Sequence, residues 1–151
     1  MKEQILKGFV VIDPHDMDGE VFLVKNDQKE TSSERELGSL VSNALLALGV
    51  EDMATEDDFE NQNINQKFIA DNIQLQVFAS SKRTSLDDIK EKVILDSMGL
   101  LELQEDWYGY STWTVMGFNV ETFTLGGHDI LEIIKSLKDK FIYMVIKQIN
   151  L

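Results

Sequence analysis

The chain has 151 residues, 27 acidic and 14 basic, for a formal net charge of −13; 43% of its residues are hydrophobic and none is cysteine. That length and hydrophobic content suit one globular domain with a single core, and the missing thiols exclude disulfide scaffolds, thiolate zinc sites and cysteine nucleophiles. The negative field repels nucleic acid and anionic membrane and attracts cationic partners.

Met1–Ile5 has no basic start followed by a long apolar stretch, so no secretory signal is expected. The longest apolar run, Phe141–Ile146, falls far short of the ~20 residues that cross a bilayer. A soluble, cytoplasmic protein is expected.

Leu6–Ile12 is rich in β-branched and aromatic residues and stops at Asp13-Pro14; Val21–Val24 follows a turn-rich loop ending in Asp18-Gly19. The two runs predict a β-hairpin. Leu37, Leu40, Val41, Ala44, Leu45 and Leu48 then recur at helical spacing and place one apolar stripe on one face. Ser33 with Glu36 predicts a capping box, and Gly49 a left-handed end. Gly38, in the first turn, reads as a minor cost to the helix.

Residues 50–72 are acidic, amide-rich and sparsely apolar, which predicts an insertion in the domain, with a short helix near Thr55 as one form of it. Ile73–Ala79 alternates as a half-buried strand does. Ser85 with Asp88 opens a second predicted helix running to about Asp96, ended by Met98-Gly99. Leu101, Leu103 and Trp107 predict a strand that pairs through Gly109 with Thr112–Phe118, with Val120–Leu125 as a further strand. Gly126-Gly127 then stops the sheet. Asp129 with Glu132 opens a third helix carrying Ile130, Ile133, Ile134 and Leu137, and Phe141–Ile149 reads as an interior strand, apolar on both faces. Together these predict a single α+β domain spanning 1–151, a mixed or antiparallel sheet of about six or seven strands packed against three helices.

No motif specifies a reaction. Asp13, His15, Asp16 and Asp18 offer hard oxygen ligands and an imidazole, but an EF-hand aligned on Gly19 would need an acid at Pro14 and a glutamate at Lys25. These four are weak metal candidates, and turn chemistry accounts for the loop. Gly126-Gly127-His128-Asp129 lacks both the Gly-Lys-Ser/Thr ending of a phosphate loop and the third glycine of a dinucleotide site. His15 and His128, the only imidazoles, stand in no triad or metal-hydrolase pattern. No catalytic residue, metal or cofactor is expected.

Two patterns stand out. Residues 31–60 carry one basic residue against eight acids, and Glu51, Asp52, Glu56, Asp57, Asp58 and Glu60 gather most of these in ten positions. A charge run of this kind keeps a chain soluble; it also suits a docking face for the lysines and arginines of a nucleic-acid-binding protein. Trp107, Tyr108, Tyr110 and Trp113 form the densest aromatic cluster and serve either as packing or as an interface anchor or pocket. In size and composition, though in no motif, the chain resembles small acidic inhibitors of phages and mobile elements and acidic immunity proteins against nuclease toxins. The expected function is therefore a non-enzymatic acidic protein that docks on a basic protein partner, without direct nucleic-acid or membrane binding. The alternative is a small-ligand protein or small enzyme with an aromatic and acidic pocket around 102–113, served by Glu102, Glu105 or Asp106. No pattern sets an oligomeric state.

Overall fold

The computed structural model describes residues 2–12, 21–25, 35–55, 64–108 and 117–149, and within them every side chain but those of 64–65, 106–108, 117–119 and 121. Among these residues seven strands, β1 (Lys2–Ile12), β2 (Val21–Val24), β3 (Ile64–Ser80), β4 (Val93–Tyr108), β5 (Gly117–Leu125), β6 (His128–Asp129) and β7 (Phe141–Gln148), build one antiparallel sheet in the order β2-β1-β7-β3-β4-β5-β6. Three helices accompany them: α1 (Leu37–Ala47), α2 (Leu86–Ile89) and α3 (Ile130–Lys135). The architecture is α+β and dominated by strands. No helix among the described residues is long and apolar enough to cross a membrane.

β7 is apolar on both faces because it lies between β1 and β3 with both faces covered. Ile142, Met144 and Ile146 enter the main core with Val10, Leu75, Val77 and α1. Phe141, Tyr143 and Val145 point the other way, to a smaller cluster with Phe78 of β3 and Ile89 of α2. α1 buries Leu37, Val41, Ala44 and Leu45, each large side chain contributing roughly 1.5–3 kcal/mol. It touches β1 and β2 from one end of the sheet and β3 and β5 from the other, so the sheet curves round the helix.

The curvature has a local origin. Asn72 takes a left-handed φ of 58°, and the β3–β4 register shifts between Ala70 and Ile73, opposite Gly99. Beyond this bulge the long strands change partners. Residues 73–80 of β3 pair with β7, whereas residues 101–108 of β4 pair with β5. A bulge increases local twist and bends the strand that carries it.

Four expectations need correcting. The predicted insertion at 50–72 is too long, because β3 begins at Ile64. The helix expected from Ser85 to about Asp96 is a single turn: Lys92 N–H closes it onto Ile89 O at 2.8 Å, and Val93–Leu95 joins β3 through Phe78↔Val93 and Val77↔Leu95. A long strand with an unpaired edge outweighs a few residues of helical spacing, and β4 continues through Met98-Gly99. The capping box does not form as read: Glu36 is itself the N-cap of α1, extended at φ −63°, ψ 135° and bridged to Phe22, with no side-chain cap bond. Finally, Phe118 and Val120–Leu125 belong to one strand, β5, in which Phe118 is the backbone register partner of Trp107.

Candidate functional site

The acidic segment starts beside β3. Past the bulge, residues 64–70 of β3 have no β7 neighbour, and residues 52–54 come alongside instead. Met53 N–H donates to Lys67 O at 2.6 Å; Asp52 Oδ1 accepts from the N–H groups of Lys67 and Ala54, each at 3.0 Å. A carboxylate thus satisfies backbone donors that a neighbouring strand would otherwise bind, which blunts the edge. Residues 51–55 are in neither a helix nor a strand of the sheet. Glu51 and Asp52 are exposed, and neither is in an ion pair among the described residues. Glu56, Asp57, Asp58 and Glu60 lie outside the described residues.

The aromatic candidates fall mostly beyond description as well. Trp107 and Tyr108 end β4 opposite Phe118 and Gly117, with side chains outside the described set; Tyr110 and Trp113 lie outside it altogether. Asp13, His15, Asp16 and Asp18 do so too. Two acids assigned to the alternative pocket part company: Glu102 is exposed, while Glu105 follows Leu101 and Leu103 inward and is 2% exposed. Strand alternation puts them on opposite faces. The Gly-Gly-His-Asp run is a tight turn, Gly126 at φ 55° and Gly127 at φ 88°, followed by Asp129 capping α3 by accepting from Glu132 N–H at 3.2 Å. His128 is exposed, and no group of three His, Asp or Glu side chains among the described residues could hold a metal ion.

On the sheet face opposite the main core, Asp96 accepts from the side-chain amides of Gln74 at 2.9 Å and Gln76 at 3.1 Å. Those two bonds, chiefly the one from Gln74, hold its carboxyl below the usual range, with help from the Lys147 charge and against a small desolvation. Ion pairs among the described residues include Lys90–Asp87 at 3.6 Å, between exposed side chains, and Lys147–Glu3 at 3.9 Å.

A second feature is a cavity of about 640 Å³ where β2 leaves β1. The two strands pair from Phe9↔Val24 onward, so among the described residues the first half of β1 has no strand on that side. Lys7, Lys25, Arg35 and Arg83 line the opening. Arg35 is held in place: its Nε donates to Leu23 O at 2.6 Å and its Nη2 to Lys7 O at 3.1 Å, tying β2 to β1 where their ladder stops. Phe141 and Tyr143 form one wall, their rings edge to face at 5.4 Å. Gly8 lines the same space because the chain crosses it closely; a Cβ there would lie 2.9 Å from Leu23 C and Val24 O.

No family model, curated protein or solved structure matches this chain.

The chemistry open to the chain therefore rests on its own geometry. The described cavity lining offers cations, hydroxyls and aromatic surface. Sequence reading did not find it, since its cations come from four separate segments. One signal was present. Arg35 and Arg83 are the only arginines in the chain, and both face this space.

Proposed function

We propose that this is a non-enzymatic binding protein that docks on a basic protein partner through the carboxylates that begin at Glu51. The observation that carries the reading is the pinning of Asp52 to β3. Its Oδ1 bonds to Lys67 and Ala54 hold the start of the acidic segment at the surface, with Glu51 exposed and no cation paired to either carboxylate among the described residues. A net charge of −13 adds long-range attraction for a positively charged protein, which raises association rates and makes them salt-dependent. A nucleic-acid-binding enzyme, whose lysines and arginines are set to meet phosphates, is the partner class this favours.

The test is capture from cell lysate by the immobilised protein at low and high salt, beside a variant carrying Glu51→Gln, Asp52→Asn, Glu56→Gln, Asp57→Asn, Asp58→Asn and Glu60→Gln. Asparagine at 52 keeps the Oδ1 acceptor, so the variant should melt at the wild-type temperature. Expected is a basic protein retained at low salt, released at high salt and lost with the variant. Equal capture by both proteins, or no basic protein retained by either, refutes the reading.

A further inference from the structure

The geometry points to a second binding site, independent of the acidic segment: the cavity at the β1–β2 edge takes a compact organic anion, one carboxylate, phosphate or sulfonate group on an apolar body. The first ground is charge. In a chain whose acids outnumber its bases nearly two to one, the four charged residues described in this lining are all cations, Lys7, Lys25, Arg35 and Arg83. Such segregation runs against the composition of the whole chain.

The second ground is preorganisation. The Arg35 guanidinium is anchored through Nε and Nη2 to two carbonyls, and its other N–H groups make no hydrogen bond among the described residues. A guanidinium fixed in orientation loses little entropy when an anion arrives, and its fork suits a carboxylate or phosphate. Arg83 enters from the loop before α2, is exposed, and has no ion pair among the described residues. It can close on an anion from the opposite side.

The third ground is shape. Apolar side chains line the cavity on both sides of the β1 edge, Ile5, Phe141 and Tyr143 on one face of the sheet and Leu6 and Leu40 on the main-core face, and about 640 Å³ lies in the range of small-molecule sites. Inorganic phosphate would use the cations and leave that apolar lining wet, whereas an anion with an apolar body uses both. The acidic exterior sharpens the choice. Salt screens charge over about 8–10 Å, so the four described cations act strongly on a compact anion inside the cavity, while a polyanion such as nucleic acid also meets the net charge of −13.

The test uses two fluorescent probes of nearly the same shape, 8-anilinonaphthalene-1-sulfonate and its uncharged counterpart N-phenyl-1-naphthylamine, titrated into the whole protein with inorganic phosphate as a third arm. Expected is saturable one-to-one binding of the sulfonate, much weaker binding of the neutral probe and weaker binding still of phosphate. Lys7→Gln and Arg83→Gln should each weaken the sulfonate about ten-fold, while Lys138→Gln, the same loss of charge outside the lining, leaves it unchanged. Both lining side chains are exposed, so thermal midpoints should stay at the wild-type value. Equal affinity for the two probes, no saturable binding of the sulfonate, or equal binding by wild type and both lining variants overturns the proposal. None of these results bears on capture of a basic protein by the acidic segment.

Discussion

Gly38, in the first turn of α1, is packed against the carboxyl of Glu105 on β4: a Cβ added at position 38 would lie 2.8 Å from Glu105 Cδ and 3.0 Å from Val120 Cγ2. Leu101, Leu103 and Glu105 form one inward row, so the strand carries a carboxylate into the core side by simple alternation. It arrives at the start of α1, the positive end of the helix, where negative charge is best tolerated. The glycine that reads in sequence as a small loss of helix propensity is the space into which that carboxyl fits.

Gly38→Ala therefore has an expected sign opposite to that of helix propensity. Alanine in a helix gains about 1 kcal/mol over glycine, but forcing a methyl into this contact costs roughly 1–3 kcal/mol. Urea unfolding should show net destabilisation. Glu105→Ala, which empties the facing space, should be destabilising alone, yet the double variant should lose less than the sum of the two. Strict additivity in that cycle would mean the two residues do not press on one another.

Arg35 is expected to secure β2. Its bonds to Leu23 O and Lys7 O span the point where the β1–β2 ladder ends. Arg35→Met removes both and should cost about 1–3 kcal/mol, with faster amide exchange at Val21–Val24. Lysine cannot supply two donors in a fixed plane, so Arg35→Lys should recover only part of the loss. Full recovery by lysine would show that charge alone, without the fork, holds the strand.

Leu45→Ala is the control for the core. Leu45 is 0% exposed beneath α1, and the truncation should cost about 2–5 kcal/mol through lost burial and the cavity left behind. A loss below about 1 kcal/mol would mean that the curved sheet collapses onto the gap.

What could be read before the fold was known depended on how far each feature reaches along the chain. The stripe from Leu37 to Leu48, the Gly49 end at φ 91°, and the Ser85–Asp88 and Asp129–Glu132 caps are written within a few residues, and the structure has all of them. The interior position of β7 was legible because Phe141–Ile146 is apolar on both faces. The start of β3 at Ile64 and the strand at Val93–Leu95 were not, because each strand there is selected by the other, across the hairpin. The basic cavity was the least legible feature, since Lys7, Lys25, Arg35 and Arg83 come together only when β1, the end of β2, the start of α1 and the loop before α2 fold against one another.

Asp96 should make a pH-dependent contribution. Hydrogen bonds from Gln74 and Gln76 depress its folded-state pKa, so the contribution is present above the unfolded pKa and is lost as pH falls through the lower folded value. Gln74→Ala and Asp96→Asn should each cost up to about 1 kcal/mol near neutrality, because the site is exposed. Unfolding midpoints of Gln74→Ala and wild type should converge on acidification below the ordinary carboxylate range. A gap that stays constant to low pH would mean that Gln74 stabilises through packing, not through the charged carboxylate.

Asp52 carries two roles that substitution can separate. Its Oδ1 accepts two backbone N–H groups, and its charge belongs to the acidic run. Asp52→Asn keeps the acceptor and removes the charge; Asp52→Ala removes both. Alanine should cost about 0.5–1.5 kcal/mol, since water can replace only part of what the two exposed donors lose. Asparagine should fall within about 0.5 kcal/mol of wild type, as surface substitutions that spare such a bond do. Thermal unfolding measures this directly, and low-salt capture of a basic protein measures the charge. Asparagine that is stable but captures less protein assigns the negative charge to binding. Asparagine as unstable as alanine would assign it to holding residues 52–54 against β3, and the docking surface would then have to begin elsewhere.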